Sequence, residues 1–287
     1  EAGNRAANAL GDQVTDAMPS LSLISTGKGG SGDALMPFYA TSAATALASR
    51  MAAQITVEHS HYWPETVRAL MVHSADYTPA MRAEIDSAIG KTDRSALRRR
   101  FGYGMPDLPR ALASASTDLA LVSQAYIQPF DRPKFSHHDA TRRVGPITFG
   151  SAHYYDLPWP TRVLETLENC PVELKVTLSY FVEPYPLKGA MLDPARYRSF
   201  GLRFDLKRPR ETDAEFQRRR NAEMGARIPA TEDDPNWAFG PKAIAAGSIH
   251  CDTWSGTAVE LASRDKLAIY PVMGWWRDRP GQGRYLD

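Results

Sequence analysis

Apolar positions recur at helical spacing through the first third of the chain and alternate with polar ones after it. Between Ser42 and Ile55, the residues Ala43, Leu47, Ala48, Met51, Ala52 and Ile55 share one broad stripe. The spacing predicts a helix buried on several sides, because small residues allow close approach. Trp63-Pro64-Glu65 opens a second helix, with Pro where its missing N–H costs nothing, and Val67, Leu70, Met71 and Ala75 follow at helical steps. Met81 to Ile89 predicts a short amphipathic helix. Leu97 to Arg100 then runs into the glycine turn Phe101-Gly102-Tyr103-Gly104, before Pro109 to Ala115 resumes as helix.

After about residue 117 the period becomes two. Val172, Leu174, Val176, Leu178 and Tyr180 alternate with Glu173, Lys175, Thr177 and Ser179, and Leu202, Phe204 and Leu206 alternate with Arg203, Asp205 and Lys207. Both patterns predict half-buried strands. Leu267 to Val272 is a compact apolar strand and Ser248 to Trp254 a weaker one. Pro- and Gly-rich connections between them suggest an antiparallel sandwich. The pattern changes at residues 116–120, which sets the expected domains at 1–116 and 117–287, with a solvated charged insertion near 209–230.

Composition narrows the partners. The 287 residues carry Lys+Arg 34 against Asp+Glu 33, so no net field points to nucleic acid or an anionic membrane. Arg98-Arg99-Arg100 and Arg218-Arg219-Arg220 stand among acidic residues without regular aromatic interleaving, and are read as ordinary surface. No run of about 18 apolar residues is present to span a bilayer. Cys170 and Cys251 are too few for a disulfide framework. Both are expected to be small buried hydrophobes, in a cytoplasmic chain. Gly274-Trp275-Trp276 is expected to close the bottom of a sandwich. Asp233-Asp234 and Asp139 are candidate structural calcium ligands, though no EF-hand loop surrounds them, and no cofactor is expected.

The chemical signal is Tyr39-Ala40-Thr41-Ser42-Ala43-Ala44-Thr45-Ala46. A serine at the first turn of a small-residue helix lies beside backbone N–H groups able to bind an oxyanion, and the helix dipole favours negative charge there. Thr41 and Ser42 could equally do no more than cap a core helix.

The segment Phe38 to Ile55 resembles the nucleophile region of the subtilisin-like serine proteases, whose signature is Gly-Thr-Ser-Met-Ala-x-Pro; here the matching stretch is Ala40-Thr41-Ser42-Ala43-Ala44-Thr45. Upstream, Glu1-Ala2-Gly3 and Leu21 to Thr26, ending in the Lys28 to Gly32 loop, look like that family's approach to the serine. Downstream, Trp63 to Leu70 with His73-Ser74-Ala75 looks like its next helix, and Phe101 to Asp107 like its closing turn and final helix. The resemblance covers about residues 1–115. It implies an α/β catalytic domain represented by its C-terminal portion, followed by a mostly β, antiparallel, jelly-roll-like sandwich. It also implies a serine endopeptidase with Ser42 as catalytic nucleophile and Thr41 in substrate binding, acting on a peptide or protein. Thr-Ser-Ala-Ala-Thr-Ala and Trp-Pro-Glu-Thr-Val-Arg-Ala-Leu are similar to a bacterial branch found beside an AAA-type ATPase, which would be the partner.

Three departures qualify that expectation. Ala40 stands where most relatives have Gly, adding a methyl beside the nucleophile, and Thr45 stands where most have Pro. The family's chain order places the Asp, the His and the oxyanion Asn before the serine, and no Asp-Thr-Gly or His-Gly-Thr motif precedes Ser42. Asn4 is out of register for the oxyanion role. His59 and His61 flank the turn at the far end of the Ser42 helix, about 25 Å away. His73 ends the next helix, and His137, His138, His153 and His250 belong to the β region. None is expected to serve as the base, so the chain is expected to be the C-terminal part, or a processed product, of a longer protease. The alternative is a non-catalytic binding protein derived from one.

Overall fold

A computed structural model describes residues 13, 22–27, 34–38, 41–114, 119–131, 148–185, 197–224, 234–240 and 247–278. The chain divides into two compact units. One comprises residues up to 78 together with 104–122, and the other residues 79–103 together with those from 123 onward. Residues 79–103, read from sequence as part of the first domain, therefore group with the second.

In the first unit, β1 (Leu23–Thr26) and β2 (Leu35–Phe38) form an antiparallel hairpin, with Leu23 opposite Phe38. Helix α1 (Thr41–Glu58) follows, then α2 (Pro64–Ser74) and α5 (Leu108–Ser114). The hydroxyls of Thr45, Ser49 and Thr56 on α1 donate to carbonyls four residues back, so its polar face is satisfied within the helix. Its C-terminal half supplies Met51 and Ile55 to a core with Val67, Leu70 and Ala111. The broad buried stripe expected from sequence is corrected: Ala43 is buried, but Leu47 remains 38% exposed. The packing partners of this core meet the second half of α1, leaving the first half largely uncovered.

A polar clasp joins α2 to α5. The buried Ser74 hydroxyl donates to the Met71 carbonyl at 2.9 Å and accepts the Asp107 N–H at 3.2 Å, while Asp107 Oδ1 accepts the Arg110 N–H at 2.9 Å. Beside it, Asp76 and Met105 exchange two backbone hydrogen bonds of 3.0 and 2.8 Å. Gly104 makes this approach feasible. Its φ is +95°, and a Cβ there would fall 2.3 Å from the Asp76 carbonyl oxygen. Backbone cannot yield as a flexible side chain can, so Gly104→Ala is expected to cost about 3 kcal/mol or more, read as a lower urea midpoint with an unchanged m-value.

The second unit opens with α3 (Pro79–Asp86) and α4 (Gly90–Phe101). Short strands β3 (Phe130–Asp131) and β4 (Thr148–Phe149) pair with each other. β5 (His153–Asp156), α6 (Thr161–Thr166), β6 (Pro171–Ser179), β7 (Gly201–Leu206) and α7 (Asp213–Met224) follow. The unit ends with β8 (Ile249–Thr257), α8 (Ala258–Ala262), β9 (Lys266–Val272) and a 3-10 turn at Trp275–Asp278. β6 and β8 form a long antiparallel ribbon with Leu174 opposite Trp254 and Leu178 opposite His250. A three-stranded sheet has the order β5-β9-β7. The sheets stay small and open, yet the inward residues of both, including Leu174, Val176, Phe204, Leu206, Trp254 and Ile269, share one core. A capping box between Thr257 and Glu260 starts α8 directly at the end of β8.

Two expectations change here. β7 is buried along both faces rather than one, and on the second face Asp205 pairs with Arg219 and Arg220 of α7. α7 is correspondingly not a solvated insertion: Phe216, Arg220 and Met224 are buried against Ala268, Tyr270 and Val272. Its arginines are ion-paired, Arg219 with Asp205 and Glu211, and Arg220 with Asp205. The thiols also diverge: Cys251 is buried, as expected, whereas Cys170 is exposed. Trp276 packs on Phe200 and donates to the Glu183 carboxylate at 3.0 Å, and Trp275 donates to the Glu183 carbonyl at 3.2 Å.

Candidate functional site

Ser42 is the second residue of α1 and is exposed, while Ala43 immediately after it is fully buried. The buried neighbour fixes which way this turn faces, and it faces Ser42 outward. Amides in a first helical turn have no intrahelical carbonyl to bond, so they remain available to an incoming oxyanion. Thr41 is exposed beside Ser42, and its carbonyl is occupied by the Thr45 hydroxyl at 2.8 Å. The hairpin that leads into this turn carries solvent-exposed Ile24, Leu35, Met36 and Phe38, an apolar surface next to a polar nucleophile candidate. Ala40, Asn4 and the Lys28 to Gly32 loop lie outside the described residues.

Among the described residues, no hydrogen bond involves the Ser42 hydroxyl. The histidines are placed elsewhere. His59 and His61 cluster with Tyr62 in the turn after α1, their rings 5.3 and 4.3 Å from it. His73 lies in the last turn of α2, where a cation suits the helix dipole. His153 lies on β5 and His250, buried, on β8; His137 and His138 fall outside the described residues. Among the described residues, no hydrogen bond joins His59, His61 or His73 to Ser42. Of the candidate calcium ligands, Asp139 and Asp233 lie outside the described residues, while Asp234 is the counterion of Arg264 at 2.9 Å. Among the described residues no group of three or more His, Cys, Asp or Glu could hold a metal, and no helix is long and apolar enough to cross a membrane.

The second unit holds a buried acid that sequence reading passed over. Asp252 sits on the inward face of β8 between His250 and Trp254, and accepts N–H groups from Gly240, Thr253 and Phe239 at 2.9, 2.9 and 3.1 Å. It thereby ties the 236–240 segment to the strand. The clue available from sequence was an Asp at an inward position of the His250, Asp252, Trp254 alternation. Burial pushes its pKa up to about 6, against those three hydrogen bonds and the attraction of Lys91. The folded protein thus holds this proton through a pH range where the unfolded chain, with its ordinary value of 3.8, has released it. Stability from this group is present below that ordinary value and is lost as pH rises through about 6. Between pH 4 and 7, the wild type should lose about 2–3 kcal/mol relative to Asp252→Asn, as read from urea midpoints of both proteins.

Residues 5–104 match the model of the peptidase S8, or subtilase, family. The match spans α1, α2 and the Gly104 turn, and it supports a serine-peptidase kind for this part of the chain. No curated protein and no solved structure matches.

Proposed function

We propose that the protein is a serine endopeptidase in which Ser42 attacks the peptide carbonyl and Thr41 helps to hold the substrate. One observation carries this reading. An exposed serine opens a long helix at a turn oriented by a buried alanine, within the stretch that matches the subtilase family. The serine hydroxyl adds to the scissile carbonyl, its proton passing to a histidine base, and the first-turn amides receive the oxyanion. The proton then goes to the leaving amine, and water releases the acyl group. In the family's chain order the base and its orienting aspartate come before the serine segment.

The same reading takes the second unit as a supporting, sandwich-like C-terminal domain. It takes an AAA-type ATPase as partner, a peptide or protein as substrate, and the cytoplasm as location. A fluorophosphonate probe applied to the full-length protein tests the chemistry. Peptide mapping should place the adduct on Ser42. An adduct on another serine overturns the role of Ser42, and none on a folded and complete protein overturns the peptidase reading and leaves the partner-binding alternative.

A further inference from the structure

β7 carries an arginine for which no ion pair is found among the described residues. Arg203 is 6% exposed, and its Nε and Nη1 are buried without a hydrogen-bond partner among the described residues. It shares a strand face with Gly201 and Asp205, opposite Tyr270 of β9. The acids that form ion pairs on this face are already committed: Asp205 to Arg219 and Arg220 at 2.5 and 3.0 Å, Glu211 to Arg219 at 2.6 Å. Tyr270 accepts from Arg220 at 2.7 Å. A second guanidinium, that of Arg198, lies against Gly201, two residues before Arg203 on the same strand face. A Cβ on Gly201 would come within 3.0 Å of Arg198 Cζ, so the glycine leaves the room that Arg198 uses. Burial holds Arg198 below its ordinary pKa and Arg203 pushes it the same way, against its hydrogen bond with Tyr180. The Tyr180 hydroxyl also accepts the Leu202 N–H at 3.0 Å and lies 3.0 Å from His250 Nε2.

A buried guanidinium with unpartnered N–H groups is costly unless an anion joins it. We propose that Arg203, with Arg198 beside it, is a binding site for a small oxyanion, a phosphate or a carboxylate, held by the planar guanidinium fork. A fork matches two oxygens of such a group at once, which a lysine cannot do. This site is independent of Ser42 and of the peptidase reading.

Thermal unfolding of the full chain tests it, in inorganic phosphate, in acetate and in chloride at equal ionic strength. At about ten times the dissociation constant, the bound anion should raise the wild-type Tm by about 3–5 °C over chloride. A shift in phosphate alone assigns a phosphate, and one in acetate as well assigns the wider class. Arg203→Met should abolish the shift and, in chloride, unfold no earlier than wild type, since a buried charge without a counterion has been removed. Arg203→Lys should keep less than half of the shift. No shift in either anion overturns the proposal, as does an equal shift in Arg203→Met. A less stable or unfolded Arg203→Met in chloride also overturns it, because Arg203 would then have a partner within the chain.

Discussion

Ser42→Ala should lower peptide hydrolysis by the full-length protein roughly 10⁴-fold or more, while shifting its Tm by no more than about 1–2 °C. The two halves of this result have separate causes. Activity falls because alanine has no oxygen to add to a carbonyl, and the oxyanion-binding amides alone recover only a small part of the acceleration. Stability holds because the side chain is exposed and makes no hydrogen bond with a described residue, and alanine is at least as good a helix former. The neighbouring position gives the contrast. Ala43 is fully buried, so Ala43→Leu must force space in the packing and should lose activity through folding, by about 1–3 kcal/mol. Activity that persists in a folded Ser42→Ala protein would remove Ser42 from the chemistry.

Where periodicity reflected packing on one side, the sequence was easy to read. α1 and α2 carry their apolar residues at helical steps, and β6 alternates over its length, so these elements lie where the pattern places them. The pattern failed where a second element changes what a polar residue meets. Arg203 and Asp205 look like the wet face of β7, but Arg203 is buried and Asp205 pairs with Arg219 and Arg220 of α7, and no local rule shows that a charged segment beyond residue 210 folds back. Arg219 and Arg220 looked like surface charge for the same reason, since their partner Asp205 is distant in sequence. Leu47 erred in the opposite direction, its periodicity marking a face that the described neighbours leave uncovered. At the candidate site the serine was legible because its helix and flanking motifs are local. A general base was not, because the resemblance places it before the serine and no Asp-Thr-Gly or His-Gly-Thr motif precedes Ser42.

Trp254→Ala should be the most destabilising single substitution considered for the second unit, costing about 3–5 kcal/mol and lowering Tm by about 10 °C or more. The ring is fully buried in the core that joins the β6–β8 ribbon to the three-stranded sheet. Arg264, itself buried and paired with Asp234, lies over it with Cζ 4.9 Å from the ring centroid. Losing the ring therefore opens a cavity and strips a cation of its apolar cover. Gly256, two residues on and on the same face, shows how the strand accommodates the indole: a Cβ there would fall 2.3 Å from the ring's far edge. Gly256→Ala alone should cost about 1–3 kcal/mol by displacing the ring. In a Trp254→Ala background that clash disappears, leaving only the end of the Glu260 side chain at 2.9 Å, which can swing aside. The double mutant should accordingly be more stable than the sum of the single costs allows, with a coupling of about 1–3 kcal/mol in urea unfolding. Strict additivity would show that Gly256 is kept for its backbone and not for the space it gives Trp254.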